Sequence, residues 1–311
     1  MPLVNLAGFI FDDSPIIMNG GGTCKSLERV KELARTNADT IVYGSVTYEP
    51  RTRNAGTVFY KSSRFSQNSI GMDNEGGEHH RKTLPEMVAI AHDAGKRFIL
   101  SVAGDTPDEY AILTEIGDEA GADIVEQNWG CPNKWHGAVQ GQIPSYDLNL
   151  AQEILARTEE RIGYAPLFRL FVKVSWLDPF SIRRFAAEVF PLFASVRGVV
   201  AINTIANTLS YDNFGHARIT PGGGLAGFAG PAILPIGLGQ VRQWRDALPP
   251  HIAVIGCGGI TEARDLIDYI DRAGASAVQV ASAIFGQTLE ERNYHIFADL
   301  KNGYRHLRQS N

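Results

Sequence analysis

Cysteine is scarce in this sequence, and long apolar runs are missing altogether. Cys24, Cys131 and Cys257 are the three cysteines in 311 residues, an odd number with no CxxC spacing. A disulfide scaffold and a structural zinc site are both disfavoured, and no metal site is expected. No stretch approaches the about 18 uninterrupted apolar residues that read as a membrane-crossing helix. The opening residues Met1-Pro2-Leu3-Val4-Asn5 lack a basic segment followed by an apolar one, so no leader peptide or membrane attachment is expected and the location is read as cytoplasmic. Positive charge is not in excess either: 29 Lys and Arg stand against 34 Asp and Glu. That balance disfavours a nucleic-acid or anionic-membrane partner and leaves a small molecule held by local donors. There is no low-complexity tract and no repeat of fixed period.

What is present is an ordinary globular composition, 44% hydrophobic and 20% charged, with 32 glycines for tight turns. Short apolar runs occur at 14–19, 39–43, 97–102, 123–127, 168–174, 198–202, 252–255 and 277–280. Segments with helical spacing lie between them, at 27–35, 84–93, 107–119, 148–161, 179–196, 235–247 and 261–273. This βαβα alternation predicts an α/β fold, a (β/α)8 TIM barrel formed by one domain over 1–311. Segments 44–83 and 201–235 are too long for plain connections. They are expected as long loops on the active face, which in a barrel is the face at the C-terminal ends of the strands.

The chemistry concentrates at expected strand ends. Ala122-Asp123-Ile124-Val125 runs into Glu126-Gln127-Asn128-Trp129-Gly130-Cys131-Pro132-Asn133, a buried strand opening onto a loop with one cysteine between asparagines. A free cysteine is commonly a small buried hydrophobe, the reading adopted for Cys24 and Cys257. Cys131 lies past its strand and is a candidate general base, its thiolate favoured by a nearby flavin or cation. Lys173 interrupts the apolar Phe171-Val172-Lys173-Val174; a lysine is rarely buried without a partner, which points to a bound anion or cofactor. Gly258-Gly259 after one strand and Ala281-Ser282 after the next form a candidate phosphate site of backbone N–H groups. Asn68, Asn128, Asn133 and Asn203-Thr204 fall on loops expected to share one face, and their amides suit a planar ligand bearing carbonyls and N–H groups. His79 and His80 sit in a charged, glycine-rich stretch read as a solvated loop.

Taken together these residues resemble the dihydroorotate dehydrogenases, particularly the cytosolic class 1 enzymes, from Pro15-Ile16-Ile17-Met18-Asn19-Gly20-Gly21-Gly22 to the last strand. The family's motif of asparagine, two variable residues, cysteine or serine, proline and asparagine matches Asn128 to Asn133, with the cysteine of class 1. The segment 224–235 is similar to the family's glycine-rich loop. The resemblance implies FMN at the top of the barrel, its phosphate against Gly258, Gly259, Ala281 and Ser282 and its ring reached by Lys173. Gly20, Gly21, Ser45, Asn128, Ile202 and Gly227 are implied as further cofactor contacts. Asn68, Asn128, Asn133, Asn203 and Thr204 are implied to hold dihydroorotate while Cys131 removes its C5 proton and hydride passes from C6 to the flavin N5. A homodimer is implied as well.

Two departures accompany the resemblance. Gly44 stands where the family keeps a lysine expected to touch flavin and substrate, with Lys61 as a candidate replacement. Trp129 and Gly130 stand where an aliphatic residue and a serine are usual. A reductase of another dihydropyrimidine or cyclic amide, or a flavin-binding barrel that has lost catalysis, are the competing readings. The electron acceptor is left open between fumarate and NAD reached through a partner subunit.

Overall fold

A computed structural model describes residues 4–11, 15–137, 139–163 and 168–310. Eight parallel strands close a barrel: β1 (Ile17–Asn19), β2 (Thr40–Val46), β3 (Arg97–Val102), β4 (Ile124–Asn128), β5 (Leu170–Val174), β6 (Val196–Ala201), β7 (Ala253–Cys257) and β8 (Ala277–Val280). Each pairs with its neighbours in sequence, and β8 returns to β1. All eight expected strands are therefore present, with ends displaced by a few residues. The expected start of the first at Ser14 lies outside the described residues.

Strand alternation divides the core into two shells. Val42, Ile99, Phe171, Val200 and Ile255 fill the barrel interior, while Tyr43, Leu100, Val172 and Val199 pack outward under the helices. A hairpin of Val4–Leu6 and Phe9–Phe11, absent from the sequence reading, adds Leu6 to the interior cluster. Its Phe9 ring lies under the guanidinium groups of Arg97 and Arg169, at 4.4 and 4.0 Å.

The helices are α1 (Leu27–Ala34), α2 (Gly77–Asp93), α3 (Pro107–Glu119), α4 (Leu148–Ile162), α5 (Pro179–Arg184), α6 (Leu234–Ala247), α7 (Ala263–Leu266) and α8 (Ile296–Gln309). Ser26, Thr106, Asp147 and Asp178 accept from the first free N–H groups of α1, α3, α4 and α5. The helix expected over 179–196 is broken: α5 gives way to a π turn at Phe185–Val189 and a 3-10 turn at Phe190–Leu192. Pro191, which has no N–H to continue the ladder, lies in that last turn. The helix expected over 261–273 likewise passes from α7 into a π turn at Ile267–Arg272. α8 has no counterpart in the sequence reading. α2 starts seven residues earlier than expected, so His79 and His80 are helical. His80 is buried, its Nε2 lies 3.0 Å from the Tyr43 hydroxyl, and burial pushes its imidazole down.

The two long segments are not bare loops. Phe59–Lys61 and Ser66–Asn68 from the first, with Ile205–Thr208 and Ala226–Ala229 from the second, build a four-stranded antiparallel sheet. Gly227 pairs with Asn68 across it. This cap sheet brings Asn68 and Lys61 to the cavity at the strand ends. Among the described residues, no helix is long and apolar enough to cross a membrane.

Candidate active site

A cavity of about 290 Å³ opens at the C-terminal ends of the strands, under the cap sheet. Parallel strands put their last inward residues and the following loops at this one end. A chain of neutral groups runs along one part of its wall. The Ser45 and Ser101 hydroxyls lie 2.8 Å apart, and Asn128 Nδ2 donates to Ser45 Oγ at 3.0 Å. Asn128 Oδ1 accepts from Asn203 Nδ2 at 2.8 Å and from the Gly130 N–H at 3.2 Å, while Asn203 Oδ1 accepts from the Thr204 N–H at 2.7 Å. Asn128 is thereby locked inside the protein.

Asn133 and Asn68 differ. Asn133 Nδ2 donates to Asn68 Oδ1 at 2.8 Å, and Asn133 Oδ1 is then buried with no partner. Among the described residues nothing bonds the Asn68 Nδ2 either. The pair thus leaves one acceptor and one donor unpaired at the cavity wall, and exchanging the ends of both amides leaves the same two. A buried acceptor without a partner is costly, so this edge is suited to a ligand N–H.

A charged chain forms another part of the wall. Lys173 Nζ donates to Gln279 Oε1 at 2.6 Å, and Gln279 Nε2 donates to Glu126 Oε2 at 2.5 Å. Glu126 is fully buried and its Oε1 has no partner. Burial alone would push the Lys173 ammonium down; the neighbouring Cys257 sulfur and Glu126 carboxylate more than offset this and hold it raised. Glu126 and Gln279 were missed in the sequence. Both carry the signal that exposed Lys173, a polar side chain inside an apolar strand. Cys257 lines the cavity beside Lys173 and is not merely a core residue, whereas Cys24 is buried in the outer shell.

Cys131 lines the cavity and is partly open to it. Its thiol lies deep in the concavity, where desolvation raises it; the Asn133 N–H and the charges of Lys134, Lys25 and Arg51 pull the other way without cancelling this. The surroundings therefore favour the neutral thiol, contrary to the expected thiolate. The loop around it is fixed by Lys134, whose Nζ donates to Gly104 O at 2.6 Å and pairs with Asp105 at 2.8 Å. Trp129 turns away from the cavity into the outer shell against Phe185. At Gly130 a Cβ would come within 2.8 Å of the Asn203 Cβ and 2.9 Å of the Ser175 nitrogen, so the approach of the two loops requires glycine.

Of the expected cofactor residues, Gly21, Ser45, Asn128, Lys173, Ile202, Gly258, Gly259, Ala281 and Ser282 line the cavity. Gly20 and Gly227 do not. A Cβ at Gly20 would meet the Ala281 Cβ at 2.9 Å and one at Gly227 the Thr204 Oγ1 at 2.2 Å, so their places are set by close packing behind the wall. Gly258 and Gly259 have φ of +129° and +79°, a turn that L side chains resist. All five expected substrate residues, Asn68, Asn128, Asn133, Asn203 and Thr204, line the cavity with Cys131. Lys61 also reaches it, but its ammonium is directed to the loop after β8, at the Ser282 and Phe285 carbonyls. Gly44 has φ of +114°, and a Cβ there would stand 2.3 Å from the Ser101 carbonyl oxygen. This backbone has no room for a lysine at that position.

Comparison with known proteins places the chain among relatives of one kind. The family model described as dihydroorotate dehydrogenase matches residues 3–302. A probable dihydroorotate dehydrogenase A (fumarate) from Streptococcus pneumoniae is 29% identical over 305 residues, covering 96% of this chain and 90% of that protein. A putative dihydroorotate dehydrogenase A (fumarate) from Streptococcus uberis is 30% identical, covering 90% and 86%. The catalytic subunit of a dihydroorotate dehydrogenase B (NAD(+)) from Pyrococcus abyssi is 29% identical, covering 96% and 91%.

Proposed function

From the premise that this chain belongs to the dihydroorotate dehydrogenase family, flavoprotein oxidoreductases acting on CH–CH groups, we propose that it oxidises dihydroorotate to orotate in pyrimidine biosynthesis with FMN as its cofactor. The carrying observation is the unpaired acceptor of Asn133 and the unpaired donor of Asn68, on residues that line the same cavity as Cys131. A dihydropyrimidine ring bears N–H and C=O groups side by side, the complement of that edge.

The residues present also fit a flavin mononucleotide. The Gly258-Gly259 and Ala281-Ser282 turns supply main-chain donors for a phosphate, and Lys173, charged and tied to Glu126, supplies a fixed cation for the ring. Bound flavin supplies the hydride acceptor, chemistry that no side chain here can perform. Asn68 and Asn133 orient the substrate ring, with Asn203 and Thr204 completing its enclosure. Asn128, held by Ser45 and Asn203, stays in one orientation as substrate enters. Cys131 Sγ takes the C5 proton as thiolate, so its own proton must leave first. The burial that raises the thiol also makes the thiolate a stronger base once formed.

The test is an anaerobic titration of the purified protein, followed by its flavin absorbance. Dihydroorotate should bleach the flavin absorbance and dihydrouracil should not. Bleaching by dihydrouracil alone would transfer the assignment to a different dihydropyrimidine, and no bleaching by either would overturn dihydroorotate as the substrate. We read the molecule as a cytoplasmic homodimer, and light scattering on the purified protein tests its stoichiometry.

A further inference from the structure

Three lysines line the cavity, and two of them are matched to acids. Lys25 pairs with Asp73 at 2.8 Å, and Lys173 is linked through Gln279 to Glu126. Lys61 is different: among the described residues no carboxylate pairs with it, and burial pushes its ammonium down with no acid offsetting the loss. Its Nζ instead donates to the main-chain oxygens of Ser282, at 3.0 Å, and Phe285. An ammonium has three N–H donors, so two carbonyls leave one unused.

The place of this cation matters as much as its missing partner. Ser282 lies in the loop after β8 at one side of the cavity, and Gly258-Gly259 follow the adjacent strand β7. Ser66, on the neighbouring strand of the cap sheet, donates from Oγ to Ser282 Oγ at 3.3 Å. Two cap-sheet side chains thus meet the loop after β8, and one carries an unneutralised charge.

We propose that Lys61 binds the phosphate of the flavin mononucleotide, so that the cap sheet as well as the barrel holds the anionic end of the cofactor. This rests on the flavin reading above. A phosphate dianion would take the unused donor and supply the missing counter-charge in a part-buried site, where such a contact is strong. Lys61 consequently does not replace the lysine absent at Gly44, because its charge serves the anionic end of the cofactor and not the reacting end. The cap sheet also carries Asn68, so phosphate bound by Lys61 would brace the sheet that presents the substrate edge.

The protein, stripped of flavin, is titrated with FMN, riboflavin and inorganic phosphate, following flavin fluorescence and the thermal midpoint. Lys61→Gln keeps a donor for the carbonyls and removes the charge. It should weaken FMN roughly ten- to a hundred-fold, leave riboflavin within about two-fold, and flatten the salt dependence of FMN binding. Lys61→Arg should keep most of the FMN affinity. Equal FMN affinity in Lys61→Gln and the parent would overturn the proposal. So would an equal loss for FMN and riboflavin, which marks a purely structural role. If the parent binds phosphate but no flavin, and Lys61→Gln loses the phosphate, Lys61 stands as the anion residue while the flavin reading falls. If the parent binds neither, both fall.

Discussion

Two hydrogen-bonded chains of side chains reach the same cavity, and they are made of different chemistry. The first, from Ser101 through Ser45 and Asn128 to Asn203, is neutral throughout and satisfies its members internally. Its neighbours Asn68 and Asn133 are the place where an unsatisfied edge remains. The second, Lys173 to Gln279 to Glu126, is ionic and almost fully removed from water. Neutral amides give selectivity because a buried one left without a partner is costly, though less so than a stranded charge. Two buried charges joined through a neutral amide give a fixed field, and losing one member strands the other. On the proposed function, substrate recognition falls to the first region and cofactor electrostatics to the second.

The largest effect is expected at Cys131, which shares the cavity with the neutral chain. Cys131→Ala should lower turnover by roughly 10²- to 10⁴-fold with little change in thermal midpoint, and unchanged turnover would remove it as the base. The pH profile follows from the sign of the shift. Because the folded thiol is raised, the active thiolate is lost below that raised value, so kcat/KM should climb with pH to an inflection above the ordinary thiol range. A flat profile would mean another group takes the proton.

Breaking the charged chain should show next, and in stability. Lys173→Met leaves the Glu126 carboxylate stranded and should cost about 3–5 kcal/mol in urea unfolding. Adding Glu126→Gln to the same variant should recover much of that, since the charge is gone with its partner. If the single change is as mild as a surface substitution, the two regions do not differ in the way described.

At Gly44 the expected cost is smaller. Either Gly44→Ala or Gly44→Lys forces a side chain to φ of +114° and onto the Ser101 carbonyl, with a loss on the order of 1–3 kcal/mol. Ser101 bonds Ser45, so the neutral chain should be disturbed and activity reduced. A gain in rate for Gly44→Lys would show that the backbone there yields and that the lysine's absence weakens the enzyme.

The mildest change tests the open edge. Asn133→Ala should raise KM about ten-fold while kcat falls much less, because Cys131 is untouched. A drop confined to kcat would place Asn133 in the chemistry and blur the division between recognition and reaction.

Much of this architecture was legible beforehand. The eight strands announce themselves as short apolar runs separated by segments with helical spacing, and Lys173 and the Cys131 loop stand out against their surroundings. The broken helix after Asp178 was not legible, because the apolar spacing of Ile182, Phe185 and Val189 continues through the π turn where the backbone ladder changes. The cap sheet was not legible either. Its strands have three or four residues each and acquire meaning only by pairing Ser66–Asn68 with Ala226–Ala229, more than 150 positions apart.

By itself the sequence determined the barrel, the cysteine loop and the set of amides, since periodicity and residue type are local properties. Tertiary structure decided which atoms of those amides remain open, where the Lys61 charge falls and that Gly44 admits no side chain. It also decided that burial raises the Cys131 thiol. Those outcomes depend on which distant groups approach to hydrogen-bonding distance and on how much water is excluded between them. No stretch of chain carries that information alone.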